Sequence, residues 1–160
     1  MAQIKHEMMK HLNEAVKLEE ESCSMYRKYA AEAESQYSKL IFERMVREEN
    51  NHLVFVKKLR DNFAENQELD AETAELEALN PEEITEIRDK TKEEATKNYL
   101  NALITIVEFE DRAYQFYREL ESVTDNEKCR EIFNKLAEFE KEHYDIFKQE
   151  LDSIKKNPYL

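Results

Sequence analysis

Apolar residues recur along the chain at alternating steps of three and four, the spacing of one face of an α-helix, in four long stretches. The first runs Met8, Leu12, Ala15, Glu19, Ser22, Tyr26, Ala30 and Ala33, and the second Phe42, Met45, Glu49, His52, Val56, Leu59 and Phe63. The third is Leu103, Ile106, Glu110, Ala113, Tyr117 and Leu120, and the fourth Phe133, Leu136, Glu140, His143, Phe147, Leu151 and Ile154. Each predicts an amphipathic helix of roughly 30 residues, about 45 Å long at 1.5 Å per residue. Breaks fall near Ala33–Ser38 and near Ser122–Asn126, where Thr124 and Asp125 suit a helix N-cap. Between about Asn66 and Thr91 the periodicity lapses, yet Asn80-Pro81-Glu82-Glu83 has the cap, first-turn proline and acidic first turn of a short helix. So long a link is expected where one connection must run the length of a bundle. The pattern predicts an all-α four-helix bundle in one domain over residues 1–160. Two antiparallel hairpins, about 3–65 and 92–157, are joined by a crossover at about 66–91 that contains a short helix.

Six members of these stripes are out of place in an apolar seam: Glu19, Glu49, His52, Glu110, Glu140 and His143. Their spacing is ordered. Glu19 to Glu49 and Glu110 to Glu140 are both 30 residues, and each second glutamate opens a Glu-x-x-His. The two halves superpose at a single offset of 91, which also pairs Tyr26 with Tyr117 and Ile41-Phe42 with Ile132-Phe133. The chain therefore reads as an internal repeat of a helical hairpin. The midpoints of the glutamate pairs, 34 and 125, fall inside the two breaks, so the members of each pair lie level in an antiparallel hairpin. Glutamate and histidine three apart share a helix face. All six side chains are expected in one layer in the middle of the bundle.

Four buried, unpaired carboxylates would cost several kcal/mol each even after relaxation. They could remain protonated with raised pKa values, but two divalent cations are the simpler solution, since four carboxylates balance their charge and neutral imidazoles complete the shell. A glutamate from each of two helices plus Glu-x-x-His from the other two is the di-iron or di-manganese carboxylate constellation. Its oxygen-rich, imidazole-capped character favours iron, manganese or a mixed pair over a thiolate zinc site, although zinc could substitute on purification.

Composition narrows the picture further. The absence of glycine, only two prolines and 38% charged residues agree with long helices and leave little for tight strand turns. A formal charge of −13 and a pI near 4.9 argue against nucleic acid or an anionic membrane as partner. No run of about 18 apolar residues and no signal peptide are visible, so a cytoplasmic location is expected. Cys23 and Cys129 form no C-x-x-C, which argues against a zinc ribbon or rubredoxin unit in this chain.

The motifs resemble the rubrerythrin-like branch of the ferritin-like superfamily, over nearly the whole chain. The family pattern Glu-x-x-Ala-x-x-Phe-Tyr, then Phe, then Glu-x-x-His is matched by Glu110 to Tyr117, Phe133, Glu140 and His143. A weaker copy runs from Glu19 to Tyr26, with Ser22 for the alanine and Met25 for the phenylalanine. The resemblance implies that Glu49 and Glu140 bridge two irons, that Glu19 and Glu110 are terminal ligands, and that His52 and His143 cap one metal each. It also implies that Tyr26 and Tyr117 hydrogen-bond to ligand carboxylates. Two departures stand out: Ala113 occupies the position of an additional family glutamate, and no rubredoxin domain follows before Leu160. An electron donor such as a rubredoxin is therefore expected to be a separate protein. A homodimer is expected by the same resemblance.

Three functions are compatible with these residues. The first is a di-iron redox protein that reduces hydrogen peroxide or reacts with dioxygen. The second is a ferroxidase for iron storage or delivery, and the third a non-enzymatic assembly bundle with a polar layer. Elsewhere, Cys23 is expected to be a small core residue near the layer. An axial separation from Cys129 of about 22 Å excludes a disulfide between them. His6, His11, Glu20, Glu21, Glu48 and Glu142 are expected on solvated faces.

Overall fold

The computed structural model describes residues 2–69, 76, 80–91 and 96–156, with side chains from Lys5 onward. Among them are helices α1 (Ala2–Glu32), α2 (Gln36–Asn66), α3 (Pro81–Thr91), α4 (Lys97–Val123) and α5 (Glu127–Lys155), and no strand. This is the all-α ferritin-like bundle that the periodicity predicts. Helix α1 packs chiefly on α2 and α4 on α5, while α3 lies against α2. The middle of the expected crossover, the first residues expected of the second hairpin (92–95) and the last four residues lie outside the described residues.

The hairpin turns are short because each second helix is capped at once. Ser35 Oγ accepts from the Ser38 amide at 3.0 Å, and Asn126 Oδ1 accepts from the Cys129 amide at 3.2 Å. The cap of α5 is therefore Asn126, not the expected Thr124 or Asp125. Thr124 instead closes α4, its hydroxyl donating to the Leu120 carbonyl at 2.6 Å. That role turns Thr124 back toward the preceding helix, and Asn126, immediately before the first residue of α5, is the one whose side chain meets an amide of the first turn. With no glycine available, α2 ends on Gln67 in the left-handed region (φ 58°), whose N–H reaches the Phe63 carbonyl at 2.8 Å. Helix α3 starts as expected, with Asn80 Oδ1 accepting from the Glu82 amide at 3.0 Å and Pro81 in the first turn.

The core divides into two apolar clusters. One includes Leu12, Val16, Val56, Leu59, Tyr117, Leu120, Phe133 and Leu136; the other includes Tyr26, Phe42, Met45, Tyr99, Leu103, Ile106, Phe147 and Leu151. Each long helix contributes to both, so each must cross the layer between them. Helix α3 is fastened to one side by buried Ile84, by Arg44 Nε donating to Glu83 at 2.6 Å, and by Arg88 donating to Glu150 at 3.3 Å. Cys23 and Cys129 are buried free thiols, one packed with the cluster beside the layer and one under the α4–α5 turn. No helix among the described residues is long and apolar enough to cross a membrane.

Candidate metal centre

The layer between the two clusters is where the six polar stripe positions meet. Helix α1 brings Glu19, α2 brings Glu49 and His52, α4 brings Glu110, and α5 brings Glu140 and His143; none is more than 1% exposed. Their side chains point inward for the same reason as their apolar neighbours one turn away: the stripe that buries Met45 and Val56 also buries Glu49 and His52.

The ligand atoms fall into two overlapping groups. One contains Glu19, Glu49, His52 and Glu140, the other Glu49, Glu110, Glu140 and His143, and within each the atoms lie within 4.8 Å of one another. Donors about 2.1 Å from one divalent ion are at most about 4.2 Å apart, so small side-chain rotations would close either shell. Glu49 and Glu140 belong to both groups. His52 Nδ1 is 3.7 Å from Glu140 Oε1 and 4.0 Å from Glu49 Oε2. His143 Nδ1 is 3.0 Å from Glu49 Oε1, 3.5 Å from Glu110 Oε2 and 3.9 Å from Glu140 Oε2. The two imidazoles lie nearly parallel, with centroids 5.9 Å apart.

These atoms approach one another without being satisfied by one another. Glu19 Oε2, both oxygens of Glu49, Glu110 Oε2, Glu140 Oε1 and His143 Nδ1 are buried with no hydrogen bond of good geometry. Lone pairs that converge on a common point, rather than on a neighbouring N–H, are what a cation needs. The donor set fits metal binding: oxygen-rich, with one imidazole per group and no thiolate.

Electrostatics agree. Burial, then the neighbouring Glu49, pushes the carboxyl groups of Glu19 and Glu140 well above the usual carboxylate range. Burial would raise Glu49 too, but His143 and His52 outweigh it and bring its pKa down to about 2. Burial alone would lower His143; the carboxylates of Glu48 and Glu110 instead hold it well above its ordinary value. In the metal-free protein, protons on Glu19, Glu140 and His143 thus offset part of the charge that cations would otherwise offset.

Tyr26 donates to Glu110 Oε1 at 2.6 Å and Tyr117 donates to Glu19 Oε1 at 2.7 Å, each bond running from one hairpin to the other. Burial first, then Glu110 or Glu19, pushes both phenols well up, which keeps them as donors.

The profile of the Rubrerythrin family matches residues 10–151 of this chain. The chain belongs to the rubrerythrin family. No curated protein and no solved structure gives a match. Within this rubrerythrin fold, Ala113 is buried on α4, one turn beyond Glu110, so the donor groups contain four glutamates.

One expectation about the surroundings of the layer fails. Glu48, expected on a solvated face, is fully buried, and its Oε1 lies 2.6 Å from His143 Nε2. Position 48 sits next to the stripe and faces α5, which covers it. A signal was available: the residue 91 positions on is Phe139, an apolar residue that marks the position as buried in the repeat. Glu20 and Glu21 are exposed, as are His6 and Glu142, while His11 is half-buried.

Proposed function

We propose that this rubrerythrin-family chain is a di-iron oxidoreductase that reduces hydrogen peroxide to two waters, with electrons from a separate donor protein such as a rubredoxin. The observation that carries the reading is the pair of buried donor groups sharing Glu49 and Glu140, because two adjacent groups would hold two redox-active ions for a two-electron reduction. Two bound irons would supply the two electrons that reduction of peroxide to two waters requires, along with two protons. The chain's own residues do the rest. Glu49 and Glu140 hold the two half-sites at a common spacing, and Glu19 and Glu110 close them at either end. Tyr26 and Tyr117 each keep a proton on the phenol oxygen and fix the rotamer of the carboxylate they touch. Phe42, Tyr99, Phe133 and Leu136, all buried in the flanking clusters, keep bulk water from the layer.

The test is rapid mixing of anaerobic Fe(II)-loaded protein with hydrogen peroxide, and separately with dioxygen, while ferric absorbance is followed. Oxidation by peroxide is expected to be faster than by dioxygen and faster than that of free Fe(II) at equal concentration. A rate no greater than that of free Fe(II) would reject the enzyme. A faster reaction with dioxygen, with many irons accumulating per chain, would point to iron handling instead.

A further inference from the structure

The offset of 91 relates the hairpins well enough to show where they part. Glu49 and His52 in the first correspond to Glu140 and His143 in the second, so Glu48 corresponds to Phe139 and Arg44 to Lys135. Each of these pairs faces the histidine of the opposite hairpin. In one direction Glu48 Oε1 lies 2.6 Å from His143 Nε2, and Arg44 lies 4.0 Å from Glu48 Oε2. In the other, the Phe139 ring packs 5.2 Å from the ring of His52, with Lys135 5.3 Å from the Phe139 centroid. The order cation, spacer, histidine is kept on both sides. The spacer is a carboxylate on one and an aromatic ring on the other.

The carboxylate has a consequence for the histidine it touches. As an acceptor, Glu48 keeps a proton of His143 on Nε2, so a cation that displaces the other proton would meet the Nδ1 lone pair on the side of Glu49, Glu110 and Glu140. It also fixes the plane of the ring. Arg44 is itself held by the carboxylate of Glu83 on α3, through contacts of 2.6 and 3.4 Å, so Glu48 is braced from the crossover helix. A carboxylate on the distal nitrogen of a ligating histidine orients the ring and raises its basicity.

We propose that Glu48 is the positioning residue of His143, and that it serves the half-site of Glu110 and His143, while Phe139 takes the corresponding place beside His52. The proposal rests on the metal-binding reading above but not on any activity.

The experiment is anaerobic titration with Co(II), followed by its absorption bands, in two single-site backgrounds. His52→Ala leaves the half-site that Glu48 serves, and His143→Ala leaves the other. Adding Glu48→Ala is expected to weaken the ion remaining in His52→Ala by about 10- to 100-fold. In His143→Ala the same change is expected to shift affinity by less than about threefold, since the sites do not share this contact. Glu48→Gln keeps shape and an acceptor oxygen, should give the same pattern at smaller amplitude, and serves if the alanine variant does not fold. Circular dichroism and melting of the metal-free forms report folding for every variant. Equal weakening in both backgrounds would mean that Glu48 acts only on general packing, and no weakening in either would remove it from the site; both results overturn the proposal. Should the unaltered protein take up no Co(II), the metal-binding reading falls and the proposal with it, an outcome distinct from the other two.

Discussion

The hairpin α1–α2 and the hairpin α4–α5 are two copies of one plan, and two of their departures from it lie together around α3. Ser35 and Asn126, 91 apart, cap the second helix of each copy. Tyr26 and Tyr117 reach across to the other copy's glutamate in the same way. Two departures, by contrast, put a buried acid opposite an apolar residue: Glu48 against Phe139 and Glu150 against Leu59. Both acids lie beside an arginine that fastens α3, Arg44 in one case and Arg88 in the other. Among the described residues helix α3 has no counterpart, so it docks against one side of a two-fold arrangement. The repeat therefore sets the layer of buried acids and histidines, and the crossover helix α3 breaks its symmetry.

The largest effect expected from breaking this plan concerns the two glutamates common to both donor groups. Glu49→Ala or Glu140→Ala should abolish retention of both ions, whereas Glu19→Ala or Glu110→Ala should remove or weaken one, as read by elemental analysis of protein purified without chelators. Loss of both ions in all four variants would show that the half-sites do not exist separately.

A smaller effect comes from pH. Glu19, Glu140 and His143 are all raised in the metal-free fold, so the folded state holds protons that the unfolded chain releases. Their contribution is complete below the unfolded values, ~4.3 for glutamate and ~6.5 for histidine, and is lost as pH rises toward the folded ones. The slope is at most about 1.4 kcal/mol per pH unit for each group. Glu49, at about 2, is already ionised through this window and adds no slope. Metal must displace the same protons, so its binding strengthens with pH. Between about pH 5 and 8 the metal-free Tm should fall and its gap below the metal-loaded Tm should widen. A gap that narrows with rising pH would contradict the charge assignment.

The smallest effect tests the symmetry of the turns. Ser35→Ala and Asn126→Ala should each cost about 1 kcal/mol, lowering Tm by about 2–4 °C. The two changes should add, because the turns lie against different apolar clusters. Thr124→Ala should cost less than Asn126→Ala, since its hydroxyl serves the end of α4 and not the start of α5.

Much of this was legible in the residues alone because helical periodicity and the repeat are local and arithmetic. A glutamate among Ala15, Ser22 and Tyr26 on one stripe has nowhere to go but inward, and the common offset shows which glutamates share a level. The cap of α5 was misread for a local reason: Thr124, Asp125 and Asn126 are all capping residues, and which one serves depends on where the backbone leaves the helical region. Glu48 was misread for a non-local one, since it lies beside the stripe rather than on it. Whether such a position meets water is decided by how far the neighbouring helix wraps over it.

The amino-acid order by itself determined the four long helices, their pairing into hairpins and the six polar residues of one layer, since each follows from spacing along a single helix or from the offset between two. Only the tertiary structure decided that Glu48 is buried against His143, that Phe139 takes the corresponding place beside His52, and that α3 braces one side alone. Those facts depend on which helix covers which flank, and that is set by packing between segments about 90 residues apart, beyond the reach of any local pattern.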